Sequence, residues 1–176
     1  LDGMFDFRAN VAVLLNITPD HLDRYDYQMQ RYVDSKMRIL QNQSAEDVFI
    51  YWNDDPIVSR ELPKYPVLSE KCPFSILTKE GVAGYVSGGK YVLTGEQSLE
   101  IPQNELSLMG KHNLYNMLAA GLVARQCGVP DEIIQKTLAE FEGVEHRLEK
   151  VGCFDGVTYI NGSKATNVDA CWYALD

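Results

Sequence analysis

"VAVLLNITPDHLDRY", residues 11–25, joins an unbroken apolar run, Val11 to Leu15, to a turn that crowds Asp20, His21, Asp23 and Arg24 into five positions. An apolar run without polar alternation, continued here to Ile17, reads as a strand buried on both faces. Such strands belong to parallel sheets covered by helices. Open α/β sheets bind ligands beyond the carboxyl ends of their strands, so the charged turn stands where a site is expected. A solvated, capped loop without chemistry is the plainer reading of the same residues.

Outward from this strand, the pattern alternates. Tyr27 to Asn42 has helical periodicity, Val48 to Trp52 is a second strand, and Asn53-Asp54-Asp55-Pro56 is turn chemistry able to start a short helix. The runs "FSIL", "GYVS" and "KYVL" between Phe74 and Leu93 predict a small antiparallel meander. His112 to Cys127 reads as a helix stopped by Gly128, and Pro130 to Phe141 as one that begins with proline in its first turn. "HRLEKVGCFDGVTYING" predicts a hairpin turning at Asp155-Gly156, and a last helix is expected from about Asn167. The fold class is therefore α/β: a mostly parallel sheet flanked by helices, an antiparallel β-meander, and the beginning of a second α/β unit. Phe141-Glu142-Gly143 marks the expected boundary, which gives units 1–143 and 144–176.

Composition narrows the function. The 176 residues are 45% hydrophobic, enough for one good core, and carry a net charge of -9. No Lys/Arg cluster is present to neutralise a phosphate backbone, so nucleic acid is not an expected partner. The longest apolar runs are too short to span a bilayer, and no signal peptide opens the chain. The four cysteines, Cys72, Cys127, Cys153 and Cys171, form no C-x-x-C pair, which fits reduced thiols in the cytoplasm. A start at Leu1-Asp2-Gly3 without Met is what a piece of a longer protein would show.

Gly84-Tyr85-Val86-Ser87-Gly88-Gly89-Lys90 satisfies half of the phosphate-loop pattern, but Tyr91 stands where a hydroxyl residue should hold magnesium. A working loop of this kind feeds a helix. Alternation around Gly88-Gly89 predicts a hairpin turn instead.

Three clusters carry potential chemistry. On the first helix Met29, Val33 and Leu40 share a face flanked by Tyr32 and Met37, and Lys36 projects from the middle of that stripe. Either its stem lies on apolar surface while the ammonium reaches water, or partial burial lowers the amine pKa so that the neutral form reacts with carbon dioxide. The resulting carbamate would be an anion able to bind a hard divalent metal, with His21 as a second ligand. In "GKHNLYNMLAA", Asn113 and Asn116 share a helix face, and paired carboxamides can read the edge of adenine or cap the helix. His146-Arg147 and "INGSKATN" form the third cluster. There Arg147 can fork an anion, while Ser163, Lys164 and Thr166 at a helix entrance form an anion nest or a solvated cap. All three histidines, His21, His112 and His146, fall inside these polar clusters.

Taken in order, "NITPDHLDRY", "SKMRIL", "GKHNLYN", "FEGVEHRLE" and "SKATN" resemble the Mur ligase family over nearly the whole chain. The "DHLDRY" and "SKATN" runs are similar to the member that adds D-glutamate to UDP-MurNAc-L-alanine. The resemblance implies a central ATP-binding domain followed by the start of a Rossmann-like C-terminal domain, in a cytoplasmic, monomeric enzyme of peptidoglycan precursor synthesis. ATP would phosphorylate the UDP-MurNAc-L-Ala carboxylate, and the D-glutamate amine would attack the acyl phosphate. By motif position, His21 and carbamylated Lys36 would support Mg2+, Asn113 and Asn116 would hold adenine, and Arg147 would contact the nucleotide. Lys164 and Thr166 would line the acyl-phosphate and D-glutamate side, with His146 as a further site residue. The family has Asp before Ser-Lys-Ala-Thr-Asn where this chain has Gly162, and its phosphate loop is expected upstream of Leu1, so the chain alone is expected to be inactive. A non-catalytic nucleotide-binding or regulatory module, and a sister ligase adding another amino acid, are the alternative readings.

Overall fold

The computed structural model describes residues 1–108 and 110–165. The chain divides into two compact units, residues 1–139 and 140–176.

The first unit is built on one six-stranded sheet. Strand β1 (Val11–Leu14) leads through a 3-10 turn (Leu22–Tyr25) into helix α1 (Met29–Met37), and a second such turn (Arg38–Leu40) precedes β2 (Val48–Trp52). Helix α2 (Pro56–Glu61) connects to β3 (Glu70–Ser75), followed by β4 (Gly84–Ser87), β5 (Lys90–Leu93) and β6 (Leu99–Pro102). The strands lie side by side in chain order; β1 to β4 are parallel, and β5 and β6 are added antiparallel. Helices α3 (Lys111–Gln126) and α4 (Asp131–Glu140) complete the unit.

Both faces of the sheet are covered, which is why β2 is apolar at successive positions. Val48 and Ile50 join a core with Phe74, Tyr91, Leu93, Leu118, Leu122 and Ile134 beneath α3 and α4. Phe49 packs on the other face with Tyr32, Val33, Met37, Val58 and Leu62 of α1 and the α2 region. All three β2 residues from Val48 to Ile50 are buried, as an interior parallel strand requires.

The structure corrects four expectations. Strand β1, the outermost among the described strands, ends at Leu14 and is not buried on both faces, since Val13 is exposed. The helix expected over residues 27–42 is regular only from Met29 to Met37 and tightens into a 3-10 turn. Of the expected antiparallel meander, "GYVS" and "KYVL" do pair antiparallel as β4 and β5, but "FSIL" does not join them so, since β3 pairs parallel with β4. Finally, "FSIL" is the tail of a strand that starts at Glu70, and β6 has no counterpart among the expected strands. Pro73, which lacks an N–H, disguises β3 as a non-strand, and β3 meets β4 only from Phe74 onward.

The half-matched phosphate loop is a two-residue hairpin turn, with Gly88 and Gly89 at φ 58° and 75° between β4 and β5. Both angles lie in the left-handed region that this hairpin type needs.

In the second unit β7 (Glu149–Phe154) and β8 (Val157–Asn161) form the expected antiparallel hairpin, turning at Asp155-Gly156 with both residues at positive φ. Phe154 and Tyr159 meet edge to face across it at 5.7 Å. Thr166 and the helix expected from Asn167 lie outside the described residues.

Candidate functional site

Two adjacent aspartates build the floor of the carboxyl end of the sheet. Asp55, buried, caps α2 by accepting the amide N–H groups of Ile57 and Val58 at 2.9 and 2.7 Å, while its other oxygen takes the Ile17 N–H at 3.3 Å. Asp54 accepts from the Trp52 indole at 3.0 Å, the Ser75 hydroxyl at 2.5 Å and the Ile76 amide at 2.8 Å. The segments that follow β1, β2 and β3 are thus tied together by two side chains. Asp55→Ala removes a cap and leaves the buried Ile17 N–H without its carboxylate. A loss of about 1–2 kcal/mol is expected, read as a lower urea midpoint, with Asp55→Asn closer to wild type because it keeps an acceptor.

His21 sits on the loop after β1 in a left-handed conformation, φ 50°, and starts the 3-10 turn. Its side chain is mostly exposed, with Nε2 3.6 Å from an Asp20 oxygen, and its own amide donates to Asp20. Lys36 is half-buried near the end of α1, and its ammonium lies 5.1 Å from the centroid of the Tyr32 ring. Tyr32 in turn meets Tyr25 edge to face at 5.4 Å. One layer of aromatic rings therefore links Lys36 to the turn that His21 begins. A cation over a ring is held by the quadrupole of its face, so the amine neither hangs free in water nor enters the core. The Tyr25 hydroxyl also reaches Asp2 and the buried Ser35 at 3.0 and 3.1 Å.

Asn113 and Asn116 are both half-buried near the start of α3. The helix is capped by Gly110, at φ 92° and without a side-chain cap bond, so neither asparagine is the N-cap. Tyr115, between them, packs on Trp52 with ring centroids 4.1 Å apart. That contact anchors the start of α3 at the carboxyl end of β2, the same end of the sheet from which the His21 loop emerges. Sequence reasoning misses the Trp52–Tyr115 pair, because an aromatic at a strand end and another on a helix have no shared spacing.

In the second unit His146 and Arg147 occupy a turn with His146 and Leu148 at φ 67° and 53°. The Lys164 amide donates to the His146 carbonyl at 3.0 Å, so His146, Arg147 and Lys164 are brought together by the backbone. Arg147 and Lys164 are exposed. At Gly162 nothing lies within 4 Å of where a Cβ would stand, which leaves room for the aspartate of the family pattern.

Among the described residues no group of three or more His, Cys, Asp or Glu side chains could hold a metal ion. Mg2+ takes oxygen ligands, commonly one or two from the protein with phosphate oxygens and water completing the shell, and neither the His21 ring nor the Lys36 amine is one. Lys36 as an ammonium repels a cation; as a carbamate it would supply the oxygen. Among the described residues no helix is long and apolar enough to cross a membrane.

The chain is 54% identical over 99% of its length to UDP-N-acetylmuramoylalanine–D-glutamate ligase of Bacteroides fragilis, and 46% identical over its whole length to the ligase of the same name from Porphyromonas gingivalis. It spans about 39% and 40% of those relatives. Among solved structures, MurF from Acinetobacter baumannii superimposes with a TM-score of 0.72 at 21% identity, covering 94% of this chain and 36% of that one. MurF from Thermotoga maritima, in complex with ADP, gives 0.63 at 21% identity, covering 96% and 38%. At that identity the likeness speaks for the fold. Residues 1–124 match the Mur ligase middle domain, and with the curated relatives this establishes that the chain belongs to the Mur ligase family.

Proposed function

We propose that residues 1–143 form the later part of the ATP-binding middle domain, and residues 144–176 the opening of the C-terminal amino-acid-binding domain, of a ligase that adds D-glutamate to UDP-MurNAc-L-alanine. The observation that carries this reading is the 54% identity, over 99% of the chain, to a relative bearing that activity in its name. The placement of Asn113, Asn116 and the His21 loop at one end of the sheet supports it. The enzyme acts in the cytoplasm, as a monomer, in peptidoglycan precursor synthesis.

The chemistry dictates what the residues must do. A substrate carboxylate must attack the γ-phosphorus of ATP, two anions that repel each other, and ADP leaves as the acyl phosphate forms. The neutral amine of D-glutamate then attacks the acyl carbon, the amide bond forms and phosphate departs. Asn113 and Asn116 hold the adenine edge through their amide donors and acceptors. Arg147 contacts the nucleotide, and Lys164 and Thr166 line the acyl-phosphate and D-glutamate side. Positive charge set in place before reaction lowers the cost of bringing the anions together. Were the neutral Lys36 amine to add to carbon dioxide with loss of a proton, the carbamate and His21 would be the residues that hold Mg2+. Mg2+ supplies charge neutralisation at the phosphates when bound.

The only phosphate-loop match in the 176 residues is a hairpin turn, so the chain by itself is expected to bind nucleotide without steady ATP hydrolysis. Calorimetric titration with ADP should show binding, weakened about tenfold by Asn116→Ala, since a well-placed carboxamide on an adenine edge is worth about 1–3 kcal/mol. Absence of ADP binding would overturn the nucleotide reading. In the intact ligase, phosphate release should require both UDP-MurNAc-L-alanine and D-glutamate; turnover with a different amino acid in place of D-glutamate would point to a sister ligase.

A further inference from the structure

His146, Glu149 and Asn161 form a side-chain network that motif spacing does not reveal. A Glu149 oxygen accepts the His146 amide at 2.9 Å and the Asn161 side-chain amide at 3.2 Å. The same Asn161 nitrogen lies 2.9 Å from His146 Nδ1, and Asn161 Oδ1 accepts the Ser163 amide at 3.1 Å. The Lys164 amide closes the circuit on the His146 carbonyl at 3.0 Å.

Two properties of the network need explaining. The turn holds His146 and Leu148, neither a glycine, in the left-handed region on either side of Arg147. Side chains with a Cβ adopt that conformation only when their surroundings over-determine it, and such positions gather at functional sites. The second property is orientation. Because Asn161 Oδ1 is committed to an N–H donor, its Nδ2 must be the group facing His146 and Glu149. His146 Nδ1, which also lies 3.4 Å from the Glu149 oxygen, then accepts from Asn161, and Nε2 is left as the ring's donor.

We propose that Glu149 and Asn161 are positioning residues for anion recognition. They lock the strained turn carrying His146 and Arg147 to the loop carrying Lys164, and they fix His146 as an Nε2–H donor. Two exposed cations on separate segments would otherwise have to be ordered when the ligand binds, and prior ordering removes that cost from binding. The inference rests on the nucleotide reading above for its ligand, but its geometry is independent of it. His146 thereby gains a specific role. With Nδ1 engaged, its ring offers the Nε2–H to an anionic oxygen.

The test uses the full 176-residue chain, labelled with nitrogen-15, as wild type, Glu149→Ala and Glu149→Gln. Wild type is expected to show His146 with its proton on Nε2 and a Lys164 amide that exchanges slowly. Glu149→Ala should speed Lys164 exchange at least tenfold and weaken ADP about tenfold while leaving adenosine binding unchanged. Glu149→Gln, which keeps an acceptor, should recover most of both. Amides of the β7–β8 ladder report whether the hairpin itself survives. Unchanged Lys164 exchange in Glu149→Ala with an intact ladder, or a His146 proton on Nδ1, overturns the proposal. Failure of wild type to bind ADP would count against the nucleotide reading alone, with exchange and tautomer still deciding the positioning role.

Discussion

Gly121→Ala is expected to lower the stability of the first unit by about 3 kcal/mol, the upper end of what overpacking a core costs. Gly121 faces the sheet from the middle of α3. A Cβ there would stand 2.1 Å from the Tyr91 hydroxyl oxygen and 2.9 Å from a Leu93 methyl. Neither neighbour can retreat, for both residues are fully buried, and the Tyr91 hydroxyl donates to the Met117 carbonyl at 3.0 Å. Burial also pushes the Tyr91 phenol well above its ordinary pKa, so it remains a donor across the accessible pH range. Helix propensity alone would favour alanine by about 1 kcal/mol, which makes the sign of the result diagnostic of close packing. Tyr91→Phe should cost about 1 kcal/mol by itself. In the double variant the oxygen that meets the new methyl is gone, so the two losses should fall short of additive. Additive losses in urea unfolding would show that the helix shifts away from the sheet instead.

The second large effect is a loss of stability in acid that two carboxylates govern. The Arg8 guanidinium at 2.7 Å, with the Ser44 amide, lowers buried Asp47 from 3.8 to about 2. Lys64 and Arg60, each at 2.7 Å, lower buried Glu61 from 4.5 to about 2. The folded state therefore binds these protons less readily than the unfolded chain does. Their stabilisation is complete above the unfolded values, near pH 5, and is lost as the pH falls from there toward 2. Urea midpoints measured from pH 6 down to pH 2.5 should fall steeply in wild type. Asp47→Asn and Glu61→Gln should each begin lower at pH 6 and fall less. A slope unchanged in both variants would mean that other carboxylates control acid unfolding.

Legibility varies with the range of the forces involved. The hairpin turns at Gly88-Gly89 and Asp155-Gly156 follow from residues that tolerate positive φ, a property carried by a few adjacent positions. The same holds for β2, α3 and the cap at Asp55, whose signals are continuous apolarity, the stop at Gly128 and an Asp-Pro start. The apolar run of β1 overstates its length and burial, because apolarity alone does not say which segments pack over each face of the strand. Strand β3 is partly hidden by Pro73, tolerable there because its pairing with β4 begins only after the proline.

At the candidate site, the residue types and their order are readable: His21, Lys36, Asn113, Asn116, His146, Arg147 and Lys164 all stand out as polar groups in structured surroundings. Their fixation is not. The ring of Tyr32 beneath the Lys36 ammonium, Trp52 against Tyr115, and Asp54 and Asp55 across three strand ends are contacts between distant segments. Glu149 and Asn161 belong with them.

What the amino-acid sequence determined unaided was local: where the chain turns, which stretches are periodic, and which motifs mark a Mur ligase. Only the tertiary structure decided which segments pack over each strand, which glycine is packed against a tyrosine, and which aspartates stitch the site. Backbone conformation answers to neighbours a few positions away, whereas burial and hydrogen-bond partnership depend on segments that meet only after the sheet has assembled.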